Sequence, residues 1–374
     1  MIVQEIIDQL ENLAPLDYAE EGDNVGLLVG DNEAKVTGVL VTLDTLPEVI
    51  DEAINKKCNL IISFHSIIYK ALKSISGKNY VQKVVQKAIE NKIAIFSIHT
   101  ALDNSFHGVN SVICEKLELK NRSILIPKKG TIKKLTTYVP GKDAGNVRDK
   151  IFEAGGGNIG NYLNCSFSSS GIGSFQGNDN SNPVIGNPME MQYVDETKIE
   201  ITFARHLEYE IIKAVKKSHP YDEIAYEIKT IDNENQLIGM GMVGELDKAI
   251  EEEEFLNYIN ERMKCNVIKH SNFLNKKIKK VAVLGGSGGF AIENAKSNKV
   301  DAYITSDLKY HDFFAAENQI LLMDIGHYES EQFTKNLLTE YLKKKIPNFA
   351  ILLSDINTNP INYKYYGQKK RTER

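Results

Sequence analysis

Cysteine is scarce in this chain, and charge of one sign never dominates it. The four cysteines, Cys58, Cys114, Cys165 and Cys265, lie far apart and form no C-x-x-C pair, which argues against a disulfide framework and a thiolate zinc site. They are expected as buried structural thiols in a cytoplasmic protein. A net charge of -5 and a pI near 6.0 argue against broad affinity for nucleic acid or anionic membrane, both of which need a basic face. Two basic runs, NKKIKK at 275–280 and QKKRTER at 368–374, read as a solvated strand flank and a frayed terminus. Nothing suggests a membrane span or a signal peptide. The opening MIVQEIIDQLENLAP carries acids within its apolar spacing and reads as an amphipathic helix with Ile2, Ile6, Ile7, Leu10 and Leu13 inward.

What is present describes an ordinary globular chain of 374 residues, 42% hydrophobic and 25% charged, long enough for two or three domains. From residue 36 to 110, short apolar runs (VTGVLVTLD, CNLIISFH, IAIFSIH) alternate with helical patterns (LPEVIDEAINK, YVQKVVQKAIENK). Such alternation means βαβ units and a largely parallel sheet. The texture returns late, in IKKVAVLGGSGG, VDAYITSD, ILLMDIGH and ESEQFTKNLLTEYLKKK. Between the two halves lie strands, one or two helices and a glycine- and serine-rich stretch, the pattern of an α+β domain. The expected organisation is α/β: a first lobe at 1–126, an inserted α+β domain at 127–245 and a second lobe at 246–374, with the two lobes folding together around the insertion. The Gly/Ser stretch interleaves aromatic and apolar residues in GIGSFQG and NPVIG, so 166–188 is expected as an ordered loop.

Three apolar runs end in histidine: LIISFHS delivers His65, IAIFSIHTALD delivers His99 and LLMDIGHYESE delivers His327. Open α/β sheets build their sites past the carboxyl ends of their strands, so these three of the eight histidines are expected to converge. His99 and Asp103 are four apart, as are His327 and Glu331, a spacing that puts both side chains on one side of a helical turn. Mixed nitrogen and oxygen ligation suits Zn, Fe, Mn or Co and does not choose between them. In TSDLKYHD, Asp307 and His311 are also four apart, placed to orient a substrate or to support the ligands. Asp23 and Asn24 in DNVGLLVG face the same crevice or simply make a turn. LGGSGG follows a strand and precedes a helix, which suits either a phosphate or a plain tight turn.

Taken together, DNVGLLVG, LIISFHS, HTALDNSFHGVN, GGSGG, DAYITSDLKYHD and DIGHYESE resemble the Nif-three-like dinuclear metal proteins, also called GTP cyclohydrolase 1 type 2 homologues. The resemblance covers nearly the whole chain. GIGSFQG, NPVIG and HPYDEIAYEI resemble the PII/CutA-like domain that longer members carry as an insertion. The resemblance implies up to two divalent metals between two α/β lobes of a homohexamer, with His65, Asp103, His327 and Glu331 as ligands and Glu331 bridging. His99 matches a histidine near the metals. The family usually has two adjacent histidines where this chain has Phe64 and His65, so the second metal site is expected to be weakened.

A dinuclear centre suits a metal-dependent hydrolase acting on a nucleotide or related small molecule, with His99, His311 or Asp307 moving protons. The alternative is a non-enzymatic metal-binding regulator or scaffold that works through the inserted domain.

Overall fold

The computed structural model describes residues 1–364; the basic run at 368–374 lies outside the described residues. The chain divides into two compact units, one of residues 1–126 with the segment from 239 onward, the other of residues 127–238. In chain order the strands are β1 (Gly26–Val29), β2 (Val39–Thr42), β3 (Leu60–Ser63), β4 (Ala94–Ser97) and β5 (Lys120–Pro127). The inserted unit contributes β6 (Ile132–Pro140), β7 (Phe167–Gln176), β8 (Met191–Ala204) and β9 (Tyr226–Ile231). Then come β10 (Gly239–Ile250), β11 (Lys269–His270), β12 (Ile278–Ser287), β13 (Ala302–Ser306), β14 (Leu321–Asp324) and β15 (Ile351–Leu353).

The first unit holds two sheets, ordered β1-β4-β3-β2-β15 and β11-β14-β13-β12-β10-β5. β15, β2, β3 and β4 run parallel, as do β12, β13 and β14. The central parallel strands β2, β3 and β4 of the first sheet and β13 and β14 of the second are buried on both faces, as parallel strands usually are. Along β3, Leu60 and Ile62 enter a central core while Ile61 enters an outer one. Along β14, Leu321 and Met323 enter that same central core while Leu322 enters a second outer one. The two-residue period of a strand thus lets one core join both sheets, with a layer of helices outside each.

Each lobe is completed by the other chain segment. β5 comes from the first half of the chain and sits at the edge of the second sheet; β15 comes from the last part and pairs in parallel with β2, Ile351 opposite Val39. The insertion closes at Ile238, and the boundary expected at 245 falls inside β10, which pairs with β12 from Met242 to Glu245. The opening helix spans Val3–Glu11 and buries Val3, Ile6, Ile7 and Leu10, whereas Ile2 stands outside it as the cap.

The inserted unit runs β6, helix Ala144–Glu153, β7, β8, helix Glu208–Ser218, β9, with an antiparallel sheet ordered β7-β8-β6-β9. This is the ferredoxin-like βαββαβ arrangement. Its own core packs Leu135, Val139, Ile199 and Ile201 of the sheet against Val147, Ile151, Ile211 and Val215 of the helices. Part of the glycine- and serine-rich stretch is strand: β7 pairs with β8 from Phe167 opposite Glu200 to Gln176 opposite Met191. Brief digestion with a nonspecific protease is therefore expected to cut first between 177 and 190, in the loop joining these strands, and to spare 167–176. First cuts inside 167–176 would contradict the pairing.

Candidate metal centre

The three imidazoles foreseen at strand ends meet. His65 follows β3, its backbone N–H bonded to Leu43 at 2.9 Å; His99 follows β4, its N–H bonded to the carbonyl of Phe64 at 2.9 Å. The His65 ring centroid lies 5.4 Å from that of His99 and 5.4 Å from that of His327. Each ring has an aspartate behind it. His65 Nδ1 is 2.8 Å from Asp44 Oδ1, His99 Nδ1 is 2.8 Å from Asp23, and His327 Nδ1 is 2.6 Å from Asp307 Oδ2. The aspartates are anchored in turn, Asp44 by the Thr358 hydroxyl at 2.6 Å, Asp23 by the Thr100 hydroxyl at 2.5 Å and Asp307 by Ser287. A carboxylate on Nδ1 sets the ring's orientation and tautomer and leaves Nε2 for a metal, the usual support of a ligating histidine.

Glu331 lies between two of these rings. Its Oε2 is 3.1 Å from Nε2 of both His65 and His327, and the side chain is only 4% exposed. The three ligand atoms lie within 4.8 Å of one another. His327 and Glu331 bracket the short helix His327–Glu331, so one helical turn presents both. The wall behind Glu331 is Gly286, where φ is +72° and a Cβ would collide with Glu331 Oε1. That is the use of GGSGG: the backbone N–H groups of Gly285 and Gly286 are taken by Asn110 and Ser330 and do not face a phosphate.

Asp103 lies outside the 4.8 Å set, at the end of the helix His99–Asp103. Burial and the charge of Glu331 push its carboxyl well above the usual range. Its Oδ1 is buried with no hydrogen-bond partner among the described residues, and Glu331 Oε2, equally buried, has the two imidazole Nε2 atoms 3.1 Å away. One unpartnered carboxylate oxygen, a second shared by two imidazoles, and the imidazole nitrogens themselves form a donor set that fits a divalent cation. Asp307 serves as the support of His327. The exposed ring of His311 packs on Tyr310 and Phe314, and the structure does not bring it into the cluster. Phe64 is fully buried, its ring 4.8 Å from His65 and 5.7 Å from His99. Asp44 was not singled out from the sequence, although VTLD places it after β2 as LIISFH places His65 after β3.

The backbone is strained at two of these positions. His99 (φ 24°) and Asp307 (φ 57°) lie in the left-handed region, which persists where the surroundings over-determine it and clusters at functional sites. Electrostatically, burial opposes charge on His65, but hydrogen bonds to Asp44 and Glu331 outweigh it and raise its pKa to about 10. His327 is raised to about 11 in the same way, against burial, by Asp307 and Glu331. Glu331, despite burial, is held down to about 2 by the two imidazoles, and Asp307 to about 2 by His327.

Known proteins resemble this chain over nearly its whole length. Residues 1–360 match the model of the Duf34/NIF3 (NGG1p interacting factor 3) family. A Bacillus subtilis protein named GTP cyclohydrolase 1 type 2 homolog is 37% identical, with 96% of this chain and 98% of that protein covered. A Staphylococcus aureus protein of the same name is 34% identical, with 97% and 100% covered. The crystal structure of a Bacillus cereus protein related to NIF3 superposes with a TM-score of 0.85 at 34% identity, covering 97% of this chain and 99% of that one.

The raised histidine pKa values set a pH dependence. An unfolded histidine titrates near ~6.5, so the two imidazolium ions contribute stability fully below that pH and lose it as pH rises through about 10 and 11. Metal-free protein is expected to show a Tm that falls between these limits, and His65→Ala to flatten the fall. Metal must displace the Nε2 protons, so full uptake at pH 7 should release roughly two protons per chain in a weakly buffered indicator assay. A pH-independent Tm and no proton release would contradict the assignment.

Proposed function

The chain belongs to the Duf34/NIF3 family, and from that premise we propose that it is a metal-dependent hydrolase acting on a nucleotide or related small molecule. The observation that carries the proposal is the convergence of His65 Nε2, His327 Nε2 and a buried Glu331 oxygen within 4.8 Å of one another, with the buried Asp103 carboxyl contributing an oxygen that has no partner among the described residues. These four residues would hold the ions, Zn, Fe, Mn or Co. A divalent ion bound there would supply hydroxide near neutral pH and neutralise charge developing on oxygen.

The chain's own residues do the rest. Asp44 and Asp307 hold the His65 and His327 rings so that Nε2 faces Glu331. His99, backed by Asp23, is the group that moves a proton to or from the substrate; the aspartate fixes its tautomer and stabilises the imidazolium that forms. Asp307 acts by positioning His327, and His311 stays at the surface. Phe64 leaves the second ion short of a protein ligand, giving one firm site and one labile one. GTP is the first substrate to test, because relatives carry the name GTP cyclohydrolase 1 type 2 homolog. Family membership also supports a homohexamer of 42.0 kDa chains. A cytoplasmic setting is in keeping with the free cysteines, and no helix of the described residues is long and apolar enough to cross a membrane.

A second reading rests on the inserted unit. It holds a cleft of about 890 Å³ lined by Tyr138, Phe175, Glu196 and Tyr221 among others, room for a drug-sized ligand. In that reading the protein senses or recruits through the insertion and its metal is structural.

Turnover separates the two. Metal-loaded protein is expected to release formate from GTP, or product from another nucleotide or phosphoester, and to lose that activity with chelator. Asp44→Ala and Asp307→Asn should weaken metal binding roughly 10–100-fold, and Phe64→His should raise occupancy of the second site. No turnover on any of these substrates at full metal occupancy would overturn the hydrolase proposal and leave the regulatory one.

A further inference from the structure

Past His65 the chain leaves β3 in a loop over 66–79 and enters the helix Tyr80–Glu90. Between the loop and the first turn of that helix lies a cavity of about 420 Å³. Ser66, Lys70, Lys73 and Gln82 line it, and none of the described residues lining it is acidic. Lys70 and Lys73 are exposed, and neither has an ion-pair partner among the described residues. The Ser66 hydroxyl is buried without a hydrogen-bond partner among the described residues.

Gln82 gives the cavity its direction. The residue is 8% exposed, and its Oε1 accepts from the Ser76 N–H at 3.2 Å, the Ser76 hydroxyl at 3.2 Å and the Lys78 N–H at 3.0 Å. Two of these are backbone donors, so the amide cannot be turned round. Its NH2 therefore points the other way, with no acceptor among the described residues. The helix end itself is already closed, since Asn79 Oδ1 accepts from the Gln82 N–H at 2.9 Å. A fixed amide NH2 and two ammonium groups without an ion-pair partner make a site rich in donors, with no carboxylate among its described lining residues. Such a set is complementary to a compact anion with several oxygens.

We propose that this cavity is an anion subsite that takes the phosphoryl group of the molecule handled at the metal centre, one residue along the chain from His65. The second half of that statement rests on the hydrolase reading; the binding of phosphate does not. Full-length protein stripped of metal with chelator is titrated with inorganic phosphate, phenyl phosphate and acetate by calorimetry. Wild-type protein is expected to bind both phosphates and to bind acetate more weakly. The Lys70→Ala/Lys73→Ala double variant and Gln82→Glu should each weaken phosphate binding by about tenfold or more, the loss of a charged hydrogen bond. Their metal content on reloading should stay at the wild-type level.

Equal affinity in the variants, no binding to metal-free wild type, or acetate bound as tightly as phosphate would each overturn the subsite. If the variants lose phosphate while no nucleotide or phosphoester is ever turned over, the subsite stands and the hydrolase reading falls.

Discussion

A carboxylate with almost no access to water is the constraint around which this molecule is arranged. Glu331 is buried, and a buried charge without partners costs several kcal/mol. Without metal, the imidazoles of His65 and His327 meet that cost by staying charged, each 3.1 Å from the same oxygen. Their own charge is balanced by Asp44 and Asp307, and the resulting chain of alternating sign runs from Thr358 at one end to Ser287 at the other. Gly286 leaves the space that Glu331 fills. The arrangement is a candidate cation site, with protons on the imidazoles where a metal would sit.

The two-sheet fold makes that convergence possible. His65, His99 and Asp44 come from strand ends of one sheet, Asp307, His327 and Gly286 from strand ends of the other, and one apolar core joins the two. Exchanging the edge strands β5 and β15 ties each lobe to the opposite chain segment, so the ligands share one compact unit although Asp103 and His327 are separated by the whole insertion. The left-handed backbone at His99 and Asp307 is the local strain accepted to aim two side chains at one place.

Much of this is legible in one dimension, because an apolar run that stops at a polar residue marks the carboxyl end of a buried parallel strand. His65, His99 and His327 carry that mark, and the motifs around them carry the family. Asp44 carries it equally in VTLD, but an aspartate after a strand is too common in turns to stand out. The i,i+4 spacing that pairs His327 with Glu331 fails for Asp307 and His311, since Asp307 is left-handed and the 3-10 turn begins only at Tyr310. The exchanged strands were not legible: β15 has three residues, and nothing local says which sheet an edge strand joins. The role of GGSGG was hidden for a related reason, since the atom that forbids a Cβ at Gly286 lies forty-five residues away in Glu331.

The central claim is that Glu331, His65 and His327 are the heart of a metal centre, and metal content per chain tests it most directly. Elemental mass spectrometry on untagged protein, with Glu331→Gln and His327→Ala alongside, is expected to find a divalent first-row metal in the native chain and to lose it in both variants while their circular dichroism is unchanged. No metal in the native protein, even after anaerobic reconstitution with Zn, Fe, Mn and Co, would contradict it, and the buried carboxylate would then be a structural ion-pair network and nothing more.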